Sequence, residues 1–118
     1  MSQNSVLKTK SFDFAIRIIN LYKYLKKKHG EYVLSQQILK AGTSIGALIR
    51  EAEFAESRSD FKHKLNIGLK EANESVYWLQ LLFATEYITK RMFESMFTDA
   101  NSLLKMLVSS MKTLRRKG

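Results

Sequence analysis

Between Leu34 and Ala55 the apolar positions Leu34, Ile38, Ala41, Ile45, Leu48, Ala52 and Ala55 follow one another at spacings of four and three, without a break. A strand repeats every two residues, whereas alternating four and three keeps successive side chains on one stripe of an α-helix. The pattern predicts a bundle seam in 3-4 ridge packing. Gly42, Gly46 and Ile49 lie on one flank of that seam. Each glycine costs a helix about 1 kcal/mol relative to alanine, so two of them four apart imply a neighbour that needs bare backbone. The charged surroundings exclude a membrane dimerisation motif.

A helix with this seam needs partners, and the rest of the chain supplies them. The 118 residues contain no proline and five glycines, which fits long uninterrupted helices and argues against an all-β fold. The length is that of one domain, 1–118. Helices are expected at about 12–29, 32–57, 60–85 and 90–115. In the first, Ser11 is the expected N-cap, Phe14, Ile18, Leu21 and Leu25 form the core stripe, and Gly30 ends the helix. Residues 1–10 are expected to fray. Phe12, Ile16 and Ile19 make a second apolar patch on the same helix.

Ser57 or Ser59 can cap the third helix, with Asp60 favouring its N-terminus. Its core stripe reads Phe61, Leu65, Gly68, Ala72, Val76, Leu79 and Phe83. Tyr77, Trp78 and Leu81 fall far around the wheel from Ala72, with Ile67 beside them. A helix apolar on two sides is buried on two sides, so Ile67, Tyr77, Trp78 and Leu81, with Phe54 on helix two, are expected to form an oligomer interface. The last helix carries Phe93, Met96, Ala100, Leu103, Leu107, Met111 and Leu114. Short linkers make successive helices antiparallel. The expected fold is an all-α, up-down-up-down four-helix bundle with left-handed packing.

The topology also sorts the charge. Twenty Lys and Arg face eleven Asp and Glu, a formal net charge of +9, and such an excess favours polyanions. One end of the expected bundle gathers Lys8, Lys10, Arg58, Lys62, Lys112, Arg115, Arg116 and Lys117. These are the candidate nucleic-acid contacts, made to phosphates by counterion release. The other end collects Lys26, Lys27, Lys28, Lys90 and Arg91.

Chemistry is sparse by comparison. Without cysteine there is neither a disulfide framework nor a thiolate metal site, which suits a reducing cytoplasm. His29 and His63 lie on different helices and lack the paired-carboxylate motifs of di-iron bundles. No cofactor or metal is expected. No zinc-finger spacing, phosphate loop or RNA-recognition signature is present. The outward aromatics Tyr77 and Trp78 are better explained by subunit contact than by base stacking. Arg58 and His63 have the Arg-x4–6-His spacing of HEPN ribonucleases, the one catalytic suggestion, but Arg58 sits in the turn before the helix that carries His63. The N-terminus lacks the apolar core of a signal peptide, and no run approaches about 20 apolar residues, so a cytoplasmic, non-membrane protein is expected.

A run of small residues and a Tyr-Trp-Leu triplet occur together in register: Gly42-Thr43-Ser44-Ile45-Gly46-Ala47, Arg50-Glu51-Ala52, Ala55-Glu56-Ser57, Asp60-Phe61, Lys64-Leu65, Lys70-Glu71-Ala72, Glu74 and Tyr77-Trp78-Leu79. With Phe14-Ala15 and Leu21-Tyr22 upstream and Lys112-Thr113 downstream, the chain resembles the four-helix-bundle proteins encoded by intervening sequences of bacterial 23S ribosomal RNA genes. The family commonly has Asn where this chain has Leu48. The resemblance implies a ring-shaped homopentamer. It also implies kinship with the accessory variability determinant of diversity-generating retroelements, a basic pentamer built to hold RNA and a reverse transcriptase. It thereby implies nucleic-acid binding, RNA before DNA, and no catalytic residue. The leading expectation is a non-enzymatic nucleic-acid-binding oligomer. The alternatives are a protein-interaction scaffold for an enzyme such as a reverse transcriptase and, behind it, a metal-independent ribonuclease using Arg58 and His63.

Overall fold

Four helices account for the backbone of the computed structural model, which describes residues 3–116: α1 (Gln3–His29), α2 (Val33–Glu53), α3 (Arg58–Ala84) and α4 (Lys90–Arg116). α1 packs on α2 and α4, and α3 on α2 and α4, with no close backbone approach across either diagonal. The molecule measures 47 × 22 × 22 Å. That is the length of a 27-residue helix plus its turns, since α-helix rises about 1.5 Å per residue. Which ends meet is visible in the side chains. Lys8 at the start of α1 pairs with Glu53 at the end of α2, and Lys64 early in α3 pairs with Glu51. Arg58 at the start of α3 donates to the Leu114 carbonyl near the end of α4. Consecutive helices therefore run in opposite directions.

α1 starts two turns earlier than its polar N-terminus suggests. Leu7 is fully buried and extends the stripe to Leu7, Ser11, Phe14, Ile18, Leu21 and Leu25. Burying one leucine is worth about 2 kcal/mol, enough to order residues that propensity alone would leave frayed. Ser11 is accordingly not a cap. It is buried inside the helix, where its Oγ donates to the Lys8 carbonyl at 3.1 Å. Gly30, at φ +59°, ends the helix as expected, its N–H bonding the Lys26 carbonyl.

The glycine pair of α2 meets α1. A β-carbon at Gly42 would lie 2.5 Å from Ile18 Cγ1, and one at Gly46 would lie 3.3 Å from Ser11 Oγ. This close approach turns α2 toward α1. Ile49 joins Ile38, Ala41, Ile45 and Ala52 in the core, while Leu48 moves to the side, half-buried against α3 near Gly68. α2 stops at Glu53 and not near 57, its last turn tightened by bonds from Phe54 N–H to the Glu51 carbonyl and from Ala55 N–H to the Ala52 carbonyl. The chain must leave the helix there because Ser57 adopts an extended conformation and caps α3, accepting from Asp60 N–H at 3.0 Å. α3 is rotated similarly. Ser75 and Leu82 are buried with Leu65, Gly68, Ala72 and Leu79, and Phe83 is left at the rim, stacked on Phe93 at 4.8 Å.

α2 begins on a cap that spacing did not single out. The Glu31 carboxylate accepts from Val33, Leu34 and Ser35 N–H at 3.2, 3.0 and 2.7 Å. Partial burial pushes its pKa up, but the three backbone donors with the Ser35 hydroxyl outweigh that and hold it below the usual value. Because the folded carboxyl binds its proton more weakly than the unfolded one, the cap stabilises fully above the ordinary Glu range, and the gain is lost as pH falls through the depressed pKa. Glu31→Ala is expected to cost about 1 kcal/mol at neutral pH. Urea melts near pH 7 and near pH 3 check this; a difference that persists unchanged in acid would rule out a charge-based cap.

Candidate nucleic-acid interface

The residues expected to touch nucleic acid do gather at one end. Lys8 and Lys10 come from the start of α1, Arg58 and Lys62 from the start of α3, and Lys112, Arg115 and Arg116 from the last turns of α4. Lys117 lies outside the described residues. Two of the set are occupied: Lys8 by Glu53 at 3.1 Å and Arg58 by the Leu114 carbonyl at 3.2 Å. Lys10, Lys62, Lys112, Arg115 and Arg116 make no ion pair among the described residues. Lys62 is half-buried and the other four are exposed.

The opposite end is basic in a different way. The last turn of α1 is Lys26-Lys27-Lys28-His29, where positive charge complements the helix dipole. Aromatic rings interleave with these cations. Lys26 Nζ sits 4.9 Å from the Tyr22 ring centre and 5.5 Å from that of Tyr32, and Lys28 Nζ 5.7 Å from that of Tyr24. His29 bridges Tyr24 and Tyr87 edge-to-face at 5.8 and 5.3 Å. Tyr87 is supplied by the α3–α4 turn, whose geometry is a Schellman motif: Tyr87 N–H bonds the Leu82 carbonyl and Glu86 N–H the Phe83 carbonyl, with Glu86 at φ 67°. A non-glycine residue in that region is uncommon. Thr89 then caps α4, accepting from Met92 N–H at 3.1 Å. Between these elements lies an open cleft of about 360 Å3 lined by Tyr24, Lys28, His29, Phe83, Glu86 and Tyr87, with Ile88, Thr89 and Lys90 completing it. Its sequence signal was the alternation of Tyr and Lys over 22–32; the contribution of Tyr87 needed the fold.

The expected interface residues divide. Phe54 is 85% exposed and Tyr77 is 53% exposed, while Ile67, Trp78 and Leu81 are half-buried. Trp78 packs against the core and its indole N–H donates to Glu74 at 3.1 Å. The rotation of α3 toward Ser75 and Leu82 explains this, since it draws Trp78 inward on the flank it shares with Glu71. Burial, then repulsion from Glu74, raise the Glu71 pKa, against the pull of Ser44 and Lys40 on α2. On the other side, Phe12, Ile16 and Ile19 of α1 are exposed, with the Arg50 guanidinium 5.6 Å from the Phe12 ring centre.

Arg58 and His63 are not brought together. Five residues apart, they point about 140° from each other around α3, and His63 is exposed. Arg17, which no charge run marks, instead clamps α1 to α4, donating to Asp99 at 2.6 Å and to Ser95 Oγ at 2.7 Å. Among the described residues no cluster of three or more His, Asp or Glu side chains could hold a metal ion, and no helix is long and apolar enough to cross a membrane.

The fold recurs in a solved structure. The crystal structure of a protein of unknown function from the S23 ribosomal protein family, from Bacteroides thetaiotaomicron VPI-5482, superposes with a TM-score of 0.92 at 56% sequence identity. The match covers 94% of this chain and 99% of that one. No curated protein matches. The family model described as 23S rRNA-intervening sequence protein matches residues 3–109. With nearly the whole bundle matched, the chain belongs to the 23S rRNA-intervening sequence protein family.

Proposed function

We propose that this protein is a non-enzymatic, cytoplasmic nucleic-acid-binding oligomer that holds polyanions, RNA first, through phosphate contacts. The observation that carries the reading is the cluster of cations at the chain-terminal end that make no ion pair among the described residues: Lys10, Lys62, Lys112, Arg115 and Arg116, in a chain of net charge +9. Flexible cations without carboxylate partners release counterions on meeting phosphate, and they read no bases. Assembly as a homopentamer is part of the proposal, supported by the family resemblance and by the exposed apolar side chains Phe12, Ile16, Ile19, Phe54 and Tyr77. Patches of this kind on a small protein mark contact surfaces.

Anisotropy titrations of labelled RNA at increasing salt test the binding. The affinity is expected to fall steeply with salt, and the variant Arg115→Gln/Arg116→Gln/Lys117→Gln is expected to flatten the slope of log K against log salt by about 3. Undetectable binding at low salt, or an unchanged slope, would sink the basic-end reading. The same exposed apolar residues favour a second reading, a scaffold for an enzyme such as a reverse transcriptase. A single protein partner that survives nuclease treatment in a pull-down would select it. A ribonuclease built on Arg58 and His63 has less support, because Arg58 is engaged by the Leu114 carbonyl.

A further inference from the structure

From the aromatic cleft we infer a second, chemically distinct nucleic-acid site at the far end of the bundle: a pocket for an unpaired base of a single strand, stacked on Tyr24 or Tyr87 with its flanking phosphates on Lys28 and Lys90. The inference rests on the nucleic-acid reading above and adds to it which nucleic acid is taken and where.

Three observations converge on it. Four of the five tyrosines, Tyr22, Tyr24, Tyr32 and Tyr87, belong to this end, and three of them already carry a lysine ammonium over the ring. A cation over a ring face marks where a flat, polarisable group can lie, and it supplies the charge a phosphate needs beside that group. Next, the contacts of Tyr24 and Tyr87 with His29 are T-shaped, at interplanar angles of 73° and 90°. No parallel ring of the protein stacks on either one. The neighbouring aromatics Phe83, Phe93 and Phe97, by contrast, already stack on one another at 4.8 and 5.4 Å. Finally, the cleft of about 360 Å3 lies within the range of small-molecule sites. Its one carboxylate, Glu86, faces two lysines and a histidine in the same lining, and Lys90 is tied only by a 3.8 Å exposed pair to Glu94.

The chain-terminal end lacks this combination. Among the described residues its one cation–ring contact is Arg50 over Phe12, and its cations are held by Glu53, by Glu51 and by a backbone carbonyl, or make no ion pair. Such an end can grip the backbone of any duplex or strand. Aromatic faces beside lysines suit a strand whose bases are free, because every base has a π-face and a paired one is not available.

The test uses the full-length protein, a short labelled single-stranded RNA, the same sequence as a duplex, and the matching single-stranded DNA. Tyr24→Leu/Tyr87→Leu keeps apolar bulk where both rings pack on the core, and Lys28→Gln/Lys90→Gln alters exposed ends alone. Each double variant is expected to weaken single-strand binding about tenfold. The tyrosine pair should leave duplex binding within twofold. Equal loss on DNA and RNA assigns the site to the base, and loss confined to RNA assigns it to the ribose as well; both uphold it. If the tyrosine pair weakens duplex and single strand alike, or if neither pair weakens single-strand binding, the cleft site is overturned and the basic-end reading stands. If the wild-type protein binds none of the three probes, the basic-end reading itself fails and takes the cleft with it.

Discussion

Phe14→Ala is expected to destabilise the bundle by about 3–5 kcal/mol, whereas Phe12→Ala, two residues away on the same helix, should change the stability of an isolated subunit by no more than about 0.5 kcal/mol. Phe14 is 1% exposed and is the largest fully buried side chain among the described residues, so its removal leaves a cavity in the core. A domain of this size has a total stability on the order of 5–15 kcal/mol, so the loss takes a large share of it. Phe12 is 53% exposed, with the Arg50 guanidinium over its ring. In an assembly that buries the α1 patch, Phe12→Ala should lower the native mass while the helical signal persists. Denaturation of both variants at several protein concentrations, with native mass measured alongside, separates the two roles. An equal cost for both substitutions at every concentration would show that Phe12 belongs to the subunit core and not to a contact surface.

Gly42→Leu is the second large effect. A β-carbon there would meet Ile18 Cγ1 at 2.5 Å and its Cδ1 and Cγ2 at 2.9 Å, and two of those atoms are attached directly to the β-carbon of a stiff branched side chain that has little room to swing. The leucine must therefore part α1 from α2, at a cost of about 3 kcal/mol or more. That corresponds to a melting temperature lower by roughly 10 °C or more. Gly68→Ala is the control. Its β-carbon would find Leu48 Cβ at an ordinary 3.8 Å, so the helix-propensity gain of up to about 1 kcal/mol should appear as added stability. Adding Ile18→Ala to Gly42→Leu should return part of the loss, with a coupling of about 1 kcal/mol or more in a double-mutant cycle. Thermal melts showing the same change for the two glycines would remove the close-approach explanation.

The glycine pair also shows how far a sequence of this kind can be read. Gly42 and Gly46, on the flank of an unbroken seam, announced a close neighbour, and α1 is that neighbour. The spacing of Phe14, Ile18, Leu21 and Leu25 likewise specified a stripe that is buried throughout. Periodicity is less informative about rotation. Adjacent residues on a helix are about 100° apart, so a stripe of mixed leucines and isoleucines leaves the helix free to turn by part of that angle. Contact with α1 settled it for α2, moving Ile49 into the core and Leu48 to the flank. A similar turn of α3 exchanged Phe83 for Leu82 and drew Trp78 half inside. Of the candidate sites, the chain-terminal cluster was legible because short turns dictate which ends meet. The aromatic cleft was only half legible, because Tyr87 comes from a turn about 60 residues after Tyr24 in the chain.

By itself, then, the order of residues determined that there are four helices, to within about a turn where the second one stops, that α2 has a close neighbour and which ends are basic. These follow from local rules: period, capping, backbone size and charge. Tertiary structure alone decided where α1 begins, since only the burial of Leu7 orders its first turns. It also decided how far each helix rotates and which rings share a cleft, because those outcomes come from contacts between segments that no local pattern encodes.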